Sequence, residues 1–468
     1  MIENSDKALK KTLVLVYLIG FCFLWEQCKR ISFPSSSVIV PWIRIAQLIL
    51  LGAVLFQLPW RNHRWYLILI LAVVLIIVTA WYRSRSSLSK TRDDFSKIIL
   101  VLLLCPAIGI LIQGKNLKTF LQVLTAVWTI TYVVLSILAI YAVTQNTQIV
   151  SYNGKQILGL NSEHYLLLWD SQQNMSGHVL ALSIMVAYIG AAISERRWVS
   201  VLYLAAAFIM LISLAMTNSR AGIISMWIGS GAAIVTILWK PLGGYIRKQW
   251  LKWLASLLLV VVVTALGLLC TAGLRRGVNS VIRQGGVLVH SAKAETVVAP
   301  ETETTEKEVS LVAEKDVFFG VQADSFLTSR EDLWLNVLRA LKIKPSLLLT
   351  GTSINTVMED LSKLVPTFDL PQLHNEFLQV LVSTGIIGLI LFIAFLYYAL
   401  RASFRLFLDT ERPLWERLLF LPFLCVLLID QVEALRITVR TDLLGLMMIY
   451  TGAAIVISGR AGEKQFTQ

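Results

Sequence analysis

Residues 250–272 read WLKWLASLLLVVVVTALGLLCTA, with Lys252 as the single charged side chain. A helix crosses a hydrocarbon core of about 30 Å with roughly 20 residues at 1.5 Å each. This stretch therefore predicts a membrane span by itself. Working outward, eleven more runs of the same character occur, at roughly 12–28, 38–58, 65–81, 96–113, 119–143, 175–193, 198–217, 221–239, 376–399, 416–432 and 441–457. They predict an all-α polytopic membrane protein with about 12 transmembrane helices. The composition agrees: of 468 residues, 56% are hydrophobic and 15% charged, and the mean hydropathy is +0.70. A soluble chain of this length needs more polar surface.

The formal charge of +13 would suggest nucleic acid in a soluble protein. In a membrane protein, Lys and Arg accumulate on cytoplasmic loops for topological reasons, so no nucleic-acid partner is expected. No signal-peptide cleavage pattern precedes the first run, and the amino terminus is expected on the cytoplasmic side. With that orientation the inner segments hold about 19 basic residues and the short outer loops about 11. The connection at 82–95, with Arg83, Arg85, Lys90 and Arg92, is the exception. The five cysteines are widely spaced with no CxxC and read as apolar packing residues, with neither a disulfide framework nor a zinc site.

The orientation divides the chain into residues 1–272 (spans one to nine), a large outer segment 273–375, and residues 376–468 (three more spans and a cytoplasmic tail). Within the outer segment, 291–316 (SAKAETVVAPETETTEKEVSLVAEKD) lacks periodicity and reads as a mobile acidic linker. From Arg330 to Ile343 the residues Leu333, Trp334, Val337, Leu338 and Leu341 recur at three- and four-residue spacing. They predict an amphipathic helix stopped near Pro345 and Gly351. A second one is expected over Ile354–Val365, with Val357, Leu361 and Leu364 on one face, ending at Pro366. Such helices could lie on the outer membrane surface or over a cavity.

The first outer loop, Glu26 to Ser37, has one acid, so it carries no DxD or ExD pair of the kind that holds Mg²⁺ or Mn²⁺. P-loop, GxSxG and His/Cys-cluster patterns are also missing, and Glu301 with Glu303 falls in the acidic linker. No metal or cofactor is expected. Negative charge developing in a reaction would then need fixed cations. Arg220, in Thr217-Asn218-Ser219-Arg220-Ala221-Gly222, sits between two spans with almost no loop, either as an interfacial anchor or as an anion ligand. Arg330 opens the amphipathic helix with Trp334 one turn on; arginine's planar fork suits pyrophosphate. His374 immediately precedes the tenth span. Of the five histidines, only it and His164 fall on the expected outer side outside a low-complexity context. Near neutrality an imidazole can accept a proton from a sugar hydroxyl, although a lone histidine is more often structural.

These residues resemble a known pattern. His374-Asn375, nine residues, Gly385, two residues, Gly388 is similar to the H-[NSQ]-x9-G-x-x-G signature of the O-antigen ligase and polysaccharide polymerase superfamily. Arg330-x3-Trp334 followed by Ala340-Leu341, Pro345 and Gly351 resembles its R-x-x-L-W…P-L…G-x-G segment, with Gly351-Thr352-Ser353 replacing G-x-G. The stretch 217–222 resembles its short arginine motif, with Ser219 in a supporting place. The resemblance implies a metal-independent, inverting glycosyltransferase of the GT-C type in the bacterial inner membrane. It would move a glycan from undecaprenyl pyrophosphate to a glycolipid or glycan acceptor, such as the lipid A core, at the outer (periplasmic) face. Carried over residue by residue, Arg220 and Arg330 would bind the pyrophosphate and His374 would activate the acceptor hydroxyl, with Trp334, Asn375, Gly385 and Gly388 in support. Gly385 and Gly388 are expected to let the tenth helix pack closely against a neighbour.

Ligase chemistry is favoured over a polymerase joining repeat units on the lipid carrier, because the signature is the one associated with ligases. A twelve-span transporter or flippase is the alternative of another class. It calls for mid-span charges, broken helices or two similar halves; the sequence has few such charges and no half-to-half similarity.

Overall fold

The computed structural model describes residues 2–28, 36–58, 63–83, 95–145, 149–150, 156–160, 166–168, 173–246, 248–294, 323–352, 357–365, 373, 375–431 and 441–465. Within them, sixteen helical segments and three short strands follow in order. The helices are α1 (Ile2–Cys28), α2 (Ser36–Gln57), α3 (Arg64–Arg83), α4 (Phe95–Leu111) and α5 (Gly114–Thr144) before the strands β1 (Ile149–Val150), β2 (Gln156–Leu160) and β3 (Leu166–Leu168). Then come α6 (Gln173–Ile193), α7 (Arg197–Thr217), α8 (Arg220–Tyr245), α9 (Gln249–Ala294), α10 (Ala323–Ile343), α11 (Leu347–Thr350), α12 (Val357–Leu364), α13 (Glu376–Leu408), α14 (Leu414–Arg417), α15 (Leu421–Asp430) and α16 (Thr441–Gln465). Among the described residues, eight helices are long and apolar enough to cross a membrane, and two more apolar helices are shorter. The apolar window of α9 is only 11% buried within the protein, whereas that of α16 is 94% buried. A helix as apolar and as uncovered as α9 is suited to lipid and not to water.

The described residues are mostly helical, consistent with the expected all-α membrane protein, and β1 to β3 add one small antiparallel sheet in the order β1-β2-β3. Leu158 and Leu160 of β2 and Leu166 to Leu168 of β3 are buried, and the Leu168 amide donates to Ser176 Oγ at 2.9 Å, which ties the sheet to α6. A three-residue strand in which every residue is leucine carries no alternation to read. The ninth apolar run also continues further than its hydropathy indicates, since α9 remains helical to Ala294. Of the expected acidic linker, 295–316 lies outside the described residues.

Two compact units divide the chain: residues 1–124, 236–240 and 321–468 form one, and 125–235 and 241–320 form the other. In the first, α4 and α16 meet backbone to backbone. A Cβ on Gly109 would lie 2.7 Å from the Ala453 nitrogen, and one on Gly452 would strike the Pro106 carbonyl, the small-residue contact expected of membrane helices. Residues 100–104 of α4 are π-helical, and Pro106 follows after Cys105. Proline has no N–H and its ring crowds the carbonyl four residues back, so a widened turn accommodates it. Tyr66 Oη donates to the Leu103 carbonyl at 2.8 Å. In the second unit, α6 and α7 form an antiparallel pair, and Trp227 Nε1 of α8 donates to Thr271 Oγ1 of α9 at 2.9 Å.

Candidate functional site

In the first unit a small apolar core joins α10, α11, α12 and the start of α13. It contains Leu333, Val337, Ala340 and Leu341 of α10, Leu347, Val357, Leu361, Val365, Leu373 and Val382, with Trp334 and Leu378 packed against it. The predicted amphipathic face of α10 is therefore turned inward, except that Leu338 is 56% exposed. The second predicted helix is described over Val357–Leu364, with 353–356 outside the described residues. On its exposed side Lys363 Nζ lies 2.8 Å from Glu359 Oε1. The hydrogen bond and charge of that carboxylate hold the lysine pKa above its usual 10.5.

His374 itself lies outside the described residues, but both of its chain neighbours are fixed. Leu373 is fully buried, and its carbonyl accepts from Trp334 Nε1 at 3.2 Å. Asn375 is the N-cap of α13, its side chain accepting from the Leu378 amide at 3.1 Å, and its carbonyl accepts from the Gln379 amide at 2.9 Å. Arg330 is described as a backbone position in α10, four residues before Trp334 and so on the same face of the helix. One hydrogen bond thus joins the residue before His374 to the residue one turn after Arg330.

Further along α13 the helix breaks. Gly385 has φ 73° and ψ −174°, a conformation outside the helix and one that a side chain disfavours. The break accommodates the Gly351 loop. The Thr352 amide donates to the Val382 carbonyl at 2.7 Å, and Thr352 Oγ1 donates to the same oxygen at 3.1 Å. A Cβ on Gly351, whose φ is 63°, would strike the Ser383 carbonyl, and one on Gly385 would strike the Leu349 carbonyl. Gly385 thus allows a close approach to α11, by way of a backbone break that the expectation of packing between regular helices did not include. Gly388 has the closer fit to the expected role, because a Cβ there would meet Thr384 of its own helix and lie 3.4 Å from Leu75 of α3.

Ser219 and Arg220 belong to the other unit. There α7 ends at Thr217, Asn218 takes the left-handed conformation (φ 54°, ψ 21°), and α8 begins at Arg220 with Ser219 as its N-cap. Asparagine tolerates that conformation better than most side chains. Ser219 Oγ accepts from the Gly222 amide at 3.3 Å and donates to the Asn174 carbonyl at 3.4 Å. A Cβ on Gly222 would lie 2.7 Å from the Gly177 carbonyl, so α6 supports the turn directly. Arg220, partly exposed, is the first residue of a 26-residue helix. The positive helix end disfavours a cation and favours an anion beside it. One residue that sequence reasoning did not single out is Arg275, which is buried and donates through Nε to the Ala215 carbonyl at 3.0 Å. It fixes the end of α7 just before the Arg220 turn. The Arg275-Arg276 pair closing an apolar run was its one signal.

Residues 205–393 match the family model described as O-antigen ligase. Over that stretch the chain is similar to the O-antigen ligase family. The O-antigen ligase match runs from within α7 to within α13 and so encloses all eight candidate positions, from Ser219 to Gly388. In a sequence comparison the chain matches no curated protein. The match, together with the apolar helices, supports in general terms a membrane-bound glycan ligase or polymerase. Among the described residues no group of three or more His, Cys, Asp and Glu side chains is placed to hold a metal ion.

Proposed function

We propose that the protein transfers a glycan from undecaprenyl pyrophosphate to an acceptor sugar at the outer face of the bacterial inner membrane, as a ligase. The observation that carries this reading is the clamp at position 374: Trp334 holds Leu373 while Asn375 caps α13. That arrangement fixes both chain neighbours of His374 beside the helix that bears Arg330.

In the proposed reaction the acceptor hydroxyl oxygen attacks the anomeric carbon of the donor sugar and the bond from that carbon to the pyrophosphate oxygen breaks. A single displacement of this kind inverts the anomeric centre. His374 takes the hydroxyl proton, and undecaprenyl pyrophosphate leaves with the negative charge. Arg220 and Arg330 bind that charge; at low local dielectric such contacts are far stronger than in water. Because the helix end at Arg220 adds partial positive charge of the same sign, the turn is suited to an anion and poorly suited to a neutral sugar.

Purified protein in lipid nanodiscs, given a lipid-linked glycan and candidate acceptors, tests the reading. His374→Ala should lower the transfer rate by at least about a hundredfold, the usual scale of a positioned base. Arg220→Lys keeps charge but loses paired hydrogen bonding, and its rate should fall by about tenfold or more. Wild-type turnover in the His374 variant would remove the assigned base. Growth of the glycan on the carrier, with nothing transferred to a separate acceptor, would replace ligase by polymerase.

A further inference from the structure

Along α13, immediately after the clamp, the first unit contains a cavity of about 130 Å³ bounded by α3, α4, α13, α15 and α16. Its lining extends from Glu376 to Leu396, about five helical turns, so it is narrow and long. Its two ends differ. Toward the start of α13 it presents Glu376, Gln379, Ser383 and Thr384, joined by Asp430 from the end of α15; farther along, Leu391, Phe395 and Leu396 of α13 and Met447 of α16 make it apolar.

Gln379 is the decisive residue. It is 3% exposed, and neither its amide nitrogen nor its oxygen has a hydrogen-bond partner among the described residues. A buried amide left unmet is costly, and native proteins rarely leave one so. Ser383 and Thr384 cannot relieve it by donating, because both hydroxyls donate to the Val380 carbonyl, at 3.2 and 2.7 Å. Among the described residues the cavity lining includes no Lys, Arg or His to meet a phosphate or pyrophosphate. Its two carboxyl side chains, Glu376 and Asp430, are engaged in interactions of their own, so a charged head of either sign would find no unengaged counter-charge among them at low dielectric. An amide, which offers both donor and acceptor, fits a hydroxyl, ester or amide group instead.

We infer that this cavity holds the hydrocarbon chain of a lipid whose polar end is uncharged and hydrogen-bonds Gln379. Resting on the glycosyl-transfer reading, the assignment makes it an acceptor-side subsite, separate from the arginines that bind the donor's pyrophosphate. The two substrates are thereby sorted by charge: the anionic carrier goes to Arg220 and Arg330, and the neutral-ended lipid goes to α13.

Photolabelling of the full-length protein in nanodiscs tests the cavity claim without needing turnover. Three probes share one alkyl chain with a terminal diazirine and differ in the head: glucoside, phosphate or primary amine. The glucoside should label peptides of α13 and α16 that line the apolar end, competed by unlabelled alkyl glucoside, with the phosphate and amine at least tenfold weaker. Gln379→Leu should lower glucoside labelling about five- to tenfold, the scale of one lost hydrogen bond, and Ala72→Phe, which fills the cavity from α3, should abolish it. Equal labelling by the phosphate, undiminished labelling of Gln379→Leu, or label mapped to other helices would overturn the proposal. Should either variant fail to fold, the head-group preference and peptide map of the wild-type protein decide. In the transfer assay Gln379→Leu should raise the KM of a neutral-ended lipid acceptor about fivefold and leave the donor KM unchanged. A rise in donor KM instead would overturn the acceptor assignment. A wild-type protein that transfers nothing would defeat the transfer reading, while the labelling still decides the cavity.

Discussion

The turn that carries Arg220 and the segment that leads to His374 are both held by backbone contacts, but with different parts played by local and long-range bonds. At Thr217–Gly222 local bonds such as Ser219 to Gly222 shape the turn, and two long-range ones, Ser219 to Asn174 and Arg275 to Ala215, brace it. Around His374 the decisive contacts join residues far apart in sequence: Trp334 with Leu373, and Thr352 with Val382. A site shaped mainly by local bonds is specified largely by one compact motif, even where distant residues brace it. One built from long-range bonds requires several scattered positions to agree, and it should lose geometry when any of them is altered.

The largest effect should come from breaking the long-range region at its strained point. Gly385→Ala places a side chain at φ 73° and against the Leu349 carbonyl. A loss of about 3 kcal/mol is expected from left-handed strain together with overpacking, seen as a lower melting temperature in detergent together with lost transfer. A Gly385→Ala variant that melts like wild type would show that the break is not required. Next, Trp334→Phe keeps the ring and removes the hydrogen bond to Leu373; about 1 kcal/mol of stability should go, with transfer slowed at least fivefold if position 374 depends on that bond. An unchanged rate would reduce the clamp to a packing contact.

The short-range turn gives a smaller, more local response. Ser219→Ala should cost about 1 kcal/mol through loss of the N-cap, and Ser219→Gly only a few tenths; chemical denaturation that ranks glycine below alanine would contradict the capping role. Smallest of all is Lys363→Met, which should leave melting nearly unchanged because its partner is an exposed carboxylate. The lysine pKa is raised by Glu359, so whatever the pair contributes is fully present below the usual lysine value and is lost only as pH rises through the higher folded value. A pH titration of wild-type and Lys363→Met stability between 6 and 9 should therefore run parallel.

The contrast also explains which parts were legible in the sequence. Hydropathy located the apolar helices because twenty uncharged residues have few alternatives in membrane proteins. It did not show that α9 continues past residue 272, since helix ends depend on local bonding and polarity reports only the lipid boundary. The amphipathic spacing in 330–343 identified α10 and its inward face. Gly385 was ambiguous: a glycine in an apolar helix pattern allows either close packing or a break, and the partner that decides, Gly351, lies in a loop thirty-four positions away, a separation that periodicity does not encode. Gln379 gave no signal at all, because burial without a partner is a property of the folded surroundings.

The broken helix has one more consequence. Residues 376–384 share a core with α10 to α12 that includes Val382, whereas the part of α13 beyond Gly385 faces α3 and α16. The element named α13 is thus two mechanical bodies meeting at one residue. Tilting or sliding of the longer body in a bilayer of different thickness would reach Leu373 and Asn375 chiefly through that joint and the carbonyl contacts beside it, so the backbone leading into α13 is buffered from the membrane in which the protein is anchored.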